Sequence, residues 1–368
     1  MALGSVPGYA QTQAVVRALY SKMLTLSTWN RLIQAPNYSA ALTVLEDTIY
    51  GPYLDLEREV LTPRRAGYQI RWHLVDAYQK LIRSVPQPSA ELLVQLWRLF
   101  EVDNLKAALR GIEVGATWNQ VRHLLSPVPT ANYVSLTLED LERMVRSGSV
   151  VRAVERIPDT PYYETLLHAL ERYEAEGHVF PLELALDLDY RRGLWQSIQA
   201  LQGKDHEEAL RIVGTLLDID NLLWAIRFRV YHHLSRQEII NYTLPMGYRV
   251  RDEDIRALAS GASIVEVVAR VYPELLDYAE LQGHSDEAVR SWLPSLELAL
   301  ARYVIRLCRD VFMGSPFHIG LPLAYLQLNE YEVRDLTLLI EAKASGTLRE
   351  RFIPMLELPA VLEEKGRG

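Results

Sequence analysis

The chain has 368 residues, of which 49% are hydrophobic and 23% charged, and its formal net charge is −8. This length allows two or three domains with a sizeable core, and the composition is that of an ordinary globular protein. The acidic balance argues against a general nucleic-acid binder, because such a protein needs a basic face to displace the counterions of phosphates. The one cysteine, Cys308, excludes a disulfide within the chain and is expected to be a buried thiol in a reducing compartment.

Membrane insertion is not expected from this sequence. The N-terminus lacks the basic region and the long apolar run of a signal peptide. The apolar stretches are far shorter than the roughly 18 residues that span a bilayer. We therefore expect any membrane contact to be made through a partner.

In chain order, apolar residues recur at three- and four-residue steps, the spacing that lines one face of a helix. The pattern is clear in residues 91–110 and again at Leu296, Leu300, Tyr303 and Leu307. Prolines and glycines are expected to divide the chain into short helices, and alternating runs of strand length are scarce. The sequence therefore predicts an all-α fold.

A ten-residue motif, which we term A, occurs three times. Residues 101–110 (EVDNLKAALR) return as residues 218–227 (DIDNLLWAIR) and, in a more divergent form, as residues 332–341 (EVRDLTLLIE). Successive copies are 117 and 114 residues apart. The central pairs of the three copies are Asp103 and Asn104, Asp220 and Asn221, and Arg334 and Asp335.

A second motif, termed B, alternates with A. Residues 31–54 align without gaps on residues 143–166, and a third version extends from Glu253 to Tyr272. The order along the chain is B, A, B, A, B, A, and the period is much longer than the roughly 20–50 residues of a solenoid repeat. The sequence leaves open whether each B packs with the A before it or after it, and one of these pairings joins the N-terminal B to the C-terminal A. We predict three tandem homologous helical lobes at residues 9–112, 113–235 and 236–346, followed by a C-terminal tail at residues 347–368.

The charges within motif A allow two interpretations. Acidic residues come first and cations come late, which suits the two ends of a helix. On this basis we interpret A as a helix start, with Asp103, Asp220 or the adjacent asparagine as N-cap. The alternative is a direct binding role, in which the charges towards the end of each copy contact a partner. These candidate interface residues are Arg110, Arg227, Arg229, Glu341 and Lys343.

No catalytic motif accompanies the repeats. The chain lacks a P-loop, a dinucleotide-binding glycine motif, a nucleophile elbow and the His-Glu-x-x-His zinc motif. Three Glu/His pairs at four-residue spacing place both groups on one helix face, but ordinary pairing along a helix or at its end explains them better. We therefore predict no catalytic residue, no cofactor and no metal. The three pairs are Glu164/His168, Glu174/His178 and Glu280/His284.

Taken together, the repeats resemble the C subunits of the archaeal and bacterial A/V-type rotary ATPases, which correspond to the d subunits of eukaryotes. The matching strings keep the family's order across the whole chain, although each is short. The chain departs from the family at Gln11, Gln13 and Val15, where members often carry a more basic run, and in the third copy of A. The matching strings are Tyr9-Ala10 with Arg17-Ala18-Leu19, residues 45–50 (LEDTIY), residues 100–106 (FEVDNLK) with Leu109-Arg110, and residues 330–336 (EYEVRDL) with residues 340–343 (IEAK).

The resemblance implies three lobes arranged around a pseudo-threefold axis as a funnel. It also implies a non-catalytic socket of the central rotor, which couples the central-stalk coiled coil to the membrane ring of proteolipid subunits during ATP-driven ion transport or ATP synthesis. Such a protein is cytoplasmic and meets the membrane only through the ring. The residues themselves also permit a helical adaptor in another multiprotein assembly, or an enzyme with a metal site at the Glu/His pairs.

Overall fold

The structure, a computed structural model, describes residues 5–57, 61–275 and 285–366. Every regular element in these ranges is a helix, which confirms the predicted all-α class. The contacts between residues divide the chain into two compact units. The first unit comprises Met1–Ser89 and Leu201–Gly368, and the second comprises Ala90–Ala200.

The described part of the chain is a succession of helices. In chain order they are α1 (Ser5–Tyr20), α2 (Leu26–Gln34), α3 (Tyr38–Glu46), α4 (Gly51–Leu54), α5 (Pro63–Ser84), α6 (Ser89–Glu113), α7 (Trp118–Val121), α8 (Leu138–Arg146), α9 (Val150–Val154), α10 (Tyr163–Glu176), α11 (Phe180–Gln199), α12 (Gly203–Ala209), α13 (Thr215–Val230), α14 (Arg236–Asn241), α15 (Asp252–Ala259), α16 (Ile264–Val271), α17 (Asp286–Val311), α18 (Gly320–Ala344), α19 (Arg349–Phe352) and α20 (Leu358–Gly366). A π-helical segment, Leu210–Gly214, joins α12 to α13, and two 3₁₀ turns cover Pro273–Leu275 and Ile353–Met355.

The expectation of short helices holds for the B copies and is wrong for the A copies. Helices α2 and α8 have nine residues each, whereas α6 and α18 have 25. The B helices begin at strong N-caps, because the side chains of Thr25 and Thr137 accept bonds from the backbone N–H of Thr28 and Asp140. Prolines in the first turn of a long helix do not break it, because the backbone N–H groups of that turn have no acceptor within the helix.

The interpretation of motif A as a helix start is also wrong. The first and third copies lie in the second half of α6 and α18, about twelve residues after those helices begin. The second copy lies in α13, which continues from α12 through the π-helical segment. Asp103 and Asp220 are therefore interior helical residues and cap nothing. The acidic residues in these copies have another use, described below.

In the first unit, the core lies where α18 packs against α5, α17 and α1. Fully buried side chains of the first B copy, including Leu32, Leu45 and Tyr50, belong to this unit. Cys308 on α17 is fully buried, as predicted, and burial raises the pKa of its thiol to about 12. Beyond α18 the chain continues into α19 and α20, with Phe352 and Leu358 buried.

In the second unit, α10 packs along α11, and α6 is bonded to α11 through side chains. Trp97 and Leu105 of α6 are completely buried, as are Leu141 and Met144 of α8. The amide of Gln95 on α6 donates to the carbonyl of Tyr190 on α11. Both units therefore contain a long helix that carries motif A, packed against other long helices and against a set of short ones.

Three buried joints as the candidate functional site

Each copy of motif A carries one fully buried carboxyl group at its first position. Glu101, Asp218 and Glu332 expose at most 1% of their surface, although carboxylates are rarely buried without partners. Each carboxylate accepts hydrogen bonds from a copy of motif B, or from the turn that leads into it. We name these three sites joint 1, joint 2 and joint 3, in the order of their carboxyl groups.

Joint 1 lies in the second unit. The carboxylate of Glu101 accepts bonds from the backbone N–H of Ser135, at 2.8 Å, and from the hydroxyl of Tyr162. The indole N–H of Trp97, one turn earlier on α6, donates to the same carboxylate at 3.3 Å. Burial raises the pKa of Glu101, and these donors together with Arg98 oppose that rise. Joint 1 thus fixes α6 to both ends of the second B copy.

Joint 2 lies in the first unit and uses backbone donors alone. Asp218 accepts bonds from the backbone N–H groups of Tyr248, Arg249 and Val250, which form the turn that enters α15. Burial raises the pKa of Asp218 to about 6, against the effect of these donors. Gly247 is required beside this turn, because a Cβ there would lie 2.4 Å from the Asp218 carboxylate and 2.2 Å from the carbonyl oxygen of Val250.

Joint 3 also lies in the first unit and connects distant parts of the chain. Glu332 on α18 accepts bonds from the backbone N–H of Leu24, at 2.8 Å, and from the hydroxyl of Tyr50, at 2.7 Å. Leu24 precedes α2 and Tyr50 precedes α4, so the third A copy holds the N-terminal B copy. Burial raises the pKa of Glu332 to about 7.

The three joints answer the question of pairing that the sequence left open. Motif A binds the B copy that follows it in joints 1 and 2, and the last A binds the first B in joint 3. Each B copy has a tyrosine near its joint: Tyr50 and Tyr162 occupy the same place in the first two copies, and Tyr272 ends the third. Tyr162 and Tyr50 bond the carboxylate directly, whereas the ring of Tyr272 lies under the guanidinium of Arg249, 4.9 Å away.

A second row of bonds lies three residues after each carboxyl group. The side-chain amide of Asn104 donates to the carbonyl of Ser126 and accepts from its N–H, and Asn221 does the same with Leu244. The side chain of Asp335 has no N–H group to donate. Its carboxylate instead accepts hydrogen bonds from the backbone N–H groups of Glu357 and Leu358. These predicted motif residues therefore hold the segment that follows each A helix.

The other members of the predicted motif pairs face outwards. Asp103 is half exposed and lies 3.4 Å from the ammonium of Lys106, and Arg334 pairs with Glu357. Asp220 is partly exposed on α13. One residue of each predicted pair is thus structural, and its neighbour lies on the helix surface.

Two of the candidate interface residues act as helix caps inside the first unit. The ammonium of Lys343 donates to the carbonyls of Ile33 and Ala35 at the end of α2. The guanidinium of Arg229 donates to the carbonyls of Leu258 and Ala262 at the end of α15. Each cation lies eleven residues after its joint carboxyl group, so the same A helix fixes both ends of the first B helix.

The remaining interface candidates lie nearer the surface. Arg110 forms a two-pronged pair with Glu183 on α11 and is itself mostly exposed. Arg227 pairs with Glu297 on α17 at 2.7 Å. Glu341 is exposed near the end of α18. Their role in binding a partner stays a prediction.

Sequence reasoning missed the first position of motif A as the centre of each joint. A signal was present, because Trp97, Glu101, Leu105 and Ala108 follow helical spacing and all are buried. A polar residue on an otherwise apolar helix stripe indicates a buried bond. Asp103 lies off this stripe, which explains its exposure.

Metal binding finds no support among the residues that the structure describes. No group of three or more His, Cys, Asp and Glu side chains there is arranged to hold an ion. His178 follows the left-handed Gly177 that ends α10, as expected of a helix-end charge, and its ring lies 3.6 Å from Glu176. The pair Glu280/His284 falls outside the described residues.

The helices can also be compared with what a bilayer requires. In the described parts of the chain, no helix combines the length and the apolar character needed to cross a membrane. The 25 residues of α18 are long enough, but the helix contains Glu332, Arg334 and Asp335 in its second half.

Comparison with known proteins places these repeats in a family. The sequence profile described as ATP synthase (C/AC39) subunit matches residues 12–352. The C subunit of the A-type ATP synthase of Methanocaldococcus jannaschii is 25% identical over 351 residues, covering 95% of this chain and 86% of its own length. The corresponding proteins of Methanobrevibacter smithii and Pyrococcus abyssi are 27% and 23% identical, each over 95% of this chain and over 88% and 90% of their own lengths. The chain therefore belongs to the ATP synthase (C/AC39) subunit family, whose members are structural and coupling subunits of the synthase rather than catalytic ones.

Proposed function

We propose that this protein is the central-rotor socket of an A/V-type ATPase. In this role it couples the coiled coil of the central stalk to the membrane ring of proteolipid subunits, and it carries out no chemistry itself. The observation that carries the proposal is the set of three joints, which tie the A helix of one repeat to the B copy of the next. The two hydrogen bonds that Glu332 accepts, from the N–H of Leu24 and the hydroxyl of Tyr50, tie the last repeat to the first.

A part that transmits torque has to resist deformation, and buried bonds of this kind suit it. Each joint fixes two segments through a carboxylate that is shielded from water, where a hydrogen bond is electrostatically stronger than at the surface. Breaking a joint leaves a buried donor or carboxylate without a partner, which makes partial opening expensive. Three such ties, one per repeat, suit segments that have to keep their shape under load.

The arrangement of three lobes around a pseudo-threefold axis is part of this proposal. Bonds that run from the first repeat to the second, from the second to the third and from the third to the first are compatible with such an arrangement. We propose the lobes at residues 9–112, 113–235 and 236–346 as its three sectors, with the shaft entering between them. The candidate contacts Arg110, Arg227 and Glu341 occupy equivalent positions in the three copies of A, as contacts around an axis should.

The partners can be tested in the native host. The protein would be tagged, membranes solubilised gently, and the captured proteins identified by mass spectrometry. Recovery of catalytic-head, central-stalk and proteolipid subunits together is the expected result. Recovery of soluble proteins alone, from membranes in which the intact synthase is otherwise detected, would overturn the rotor-socket proposal.

The position within the complex needs a second measurement. Single cysteines at Arg110, Arg227 and Glu341, in a background where Cys308 is replaced by serine, would be cross-linked in purified complex. Cross-links to a central-stalk or proteolipid subunit support the socket, whereas cross-links confined to stationary peripheral subunits contradict it. Asp159, in the turn after α9, provides a control position outside the A helices.

A further inference from the structure

Joint 3 differs from the other two joints in the charges near its carboxyl group. Arg98 lowers the pKa of Glu101 in joint 1, and Arg249 lowers that of Asp218 in joint 2. In joint 3 the charge that acts on Glu332 is that of another carboxyl, Asp335, one turn further along α18, and it raises the pKa of Glu332. In the part of the chain that the structure describes, no Lys, Arg or His lies within ion-pair distance of Glu332.

The elements packed around Glu332 contribute mainly neutral groups. Helix α5 provides His73, whose ring lies edge-on to Tyr50 at 5.1 Å, and burial lowers the pKa of this imidazole to about 4. Helix α5 also provides Asp76, whose carboxylate accepts a 2.6 Å hydrogen bond from the hydroxyl of Tyr53. Helix α18 adds the buried phenol of Tyr325 on the same face as Glu332. The imidazole and the phenols are uncharged near neutral pH, so they cannot offset a negative charge on Glu332.

The charged side chains of the neighbouring elements lie further out. Arg17 of α1 and Glu46 of α3 are exposed. Lys22 and Lys80 act on His73, the ring beside Tyr50. One turn further along α18, Arg302 of α17 and Arg334 act on Asp335, and Glu357 pairs with Arg334. The cations around joint 3 therefore serve the second carboxyl and the imidazole rather than Glu332.

Both protonation states of Glu332 can be bonded in the closed joint, but not equally well. The neutral acid accepts from the N–H of Leu24 through its carbonyl oxygen and can donate its own proton to the hydroxyl oxygen of Tyr50, whose phenolic hydrogen then no longer bonds Glu332. The charged form accepts from both donors, yet it remains a buried charge without a cation. Opening the joint exposes the carboxylate to water, which favours the charged form.

We propose that joint 3 is a proton-operated latch. With its proton, Glu332 holds the N-terminal B copy against α18, and loss of that proton favours release of this B copy while joints 1 and 2 stay closed. The proposal concerns the chain itself and does not depend on the rotor-socket role. It makes the connection between the two ends of the chain the pH-sensitive one of the three.

The latch can be tested by hydrogen exchange of the purified full-length chain. Protection factors, corrected for the intrinsic effect of pH on exchange, would be measured by mass spectrometry at pH 5.5 and pH 7.5. We expect protection in residues 24–54 to fall by about tenfold or more between these values, because one proton shifts an equilibrium by at most tenfold per pH unit. Protection in residues 135–162, held by joint 1, should change much less.

Variants distinguish the pH-dependent release of joint 3 from a general loss of protection throughout the fold. Glu332→Gln keeps an acceptor for Leu24 and a donor for Tyr50 but cannot titrate, so its protection in residues 24–54 should be the same at both pH values. Glu101→Gln is the matched control and should leave the pH response of residues 24–54 intact. The proposal would be overturned if the protection of residues 24–54 in the wild-type protein did not change with pH, or if it changed equally in Glu332→Gln.

A second variant keeps the test decisive should Glu332→Gln fail to fold. Asp335→Asn installs the amide that the first two A copies carry and removes the like charge beside Glu332. Since the charge of Asp335 disfavours the charged form of Glu332 in the closed joint, its removal should make the fall in protection of residues 24–54 between pH 5.5 and pH 7.5 smaller than in the wild-type protein. A fall as large as that of the wild type, or larger, contradicts the latch.

Discussion

Joints 1 and 3 place the same helix motif in different chain contexts. Glu101 holds a tyrosine 61 residues further along the chain, whereas Glu332 holds one 282 residues away. The longer loop makes closure about 1 kcal/mol less favourable for a flexible chain. Joint 1 is followed by the neutral amide of Asn104, and joint 3 by the carboxylate of Asp335. Joint 3, which has the greater entropic cost of loop closure, therefore also has the less favourable electrostatic surroundings.

Equivalent residues in the repeats thus do not make equivalent contributions. Asn104 satisfies both the N–H and the carbonyl of Ser126, which an amide can do and a carboxylate cannot. Asp335 instead meets two N–H groups at the start of α20. The polar partner of each position was decided by the backbone that faces it, and that backbone differs between the segment after α7 and the segment before α20.

The largest expected effect comes from removing the carboxyl group of joint 3. Glu332→Ala leaves the N–H of Leu24 and the hydroxyl of Tyr50 buried without an acceptor, so we expect a loss of about 3 kcal/mol in the free energy of unfolding at pH 5. The measurement is urea denaturation followed by far-UV circular dichroism. Glu332→Gln is the control and should retain most of the stability. A loss under about 1 kcal/mol for Glu332→Ala would show that joint 3 contributes little to holding the termini.

The next effect is the pH dependence of stability. The pKa of Glu332 and of Asp335 is about 7, and that of Asp218 about 6, all above the values of exposed carboxyl groups. A raised folded-state pKa gives stability that is complete below the unfolded pKa and is lost as the pH rises through the folded value. We expect the free energy of unfolding to fall between pH 5 and pH 7, by at most about 1.4 kcal/mol per pH unit for each carboxyl.

The control for the pH series is the set of carboxyl groups that respond in the opposite direction. At Asp140, Glu208 and Glu274 the effect of burial is outweighed by hydrogen bonds and salt bridges, which lower the pKa of each carboxyl. The stability that these groups contribute to the protein is lost only when the pH falls below about 4. Measurements above pH 5 therefore report the raised groups. A stability that rises steadily from pH 5 to pH 7 would contradict the burial of uncompensated carboxyl groups in the joints.

An exchange of side chains between the joints sharpens the comparison. Asn104→Asp keeps an acceptor for the N–H of Ser126 but turns a carboxylate towards its carbonyl, so we expect a loss of about 2 kcal/mol at pH 7. Asp335→Asn should be near neutral or stabilising at pH 7, because it removes a buried charge while keeping an oxygen acceptor. Thermal unfolding at pH 7 measures both. Equal losses in the two variants would mean that the backbone partners do not distinguish amide from carboxylate.

The smallest effects separate structural cations from candidate contacts. Lys343→Met removes the group that caps α2 and should lower the free energy of unfolding by about 1 kcal/mol. Arg110→Met removes a mostly exposed pair and should change it by less than about 0.5 kcal/mol. Unfolding of both variants would be measured alongside their recovery with the synthase. Weaker recovery of Arg110→Met at full stability supports its predicted role at an interface, whereas unchanged recovery assigns it to the α11 contact alone.

The sequence by itself determined the helical class and the alternation of the two motifs. Hydrophobic spacing and proline positions are local properties of the chain, so they could be read without a structure. The similar residues around Asn104, Asn221 and Asp335 made the repeat visible. The same local signal misled us about the helix starts, because acids followed by cations suit a helix end as well as a buried joint.

Only the tertiary structure decided which position of motif A bears the joint and which copy of B it holds. The repeat allowed either pairing of A with B, and the bonds that Glu332 accepts from Leu24 and Tyr50 decide between them. The difference between Asp218 with three backbone donors and Glu332 with two donors likewise depends on turns that fold against them. Burial and the arrangement of donors set the pKa of a carboxyl group, and both are properties of packing between distant segments rather than of the residues themselves.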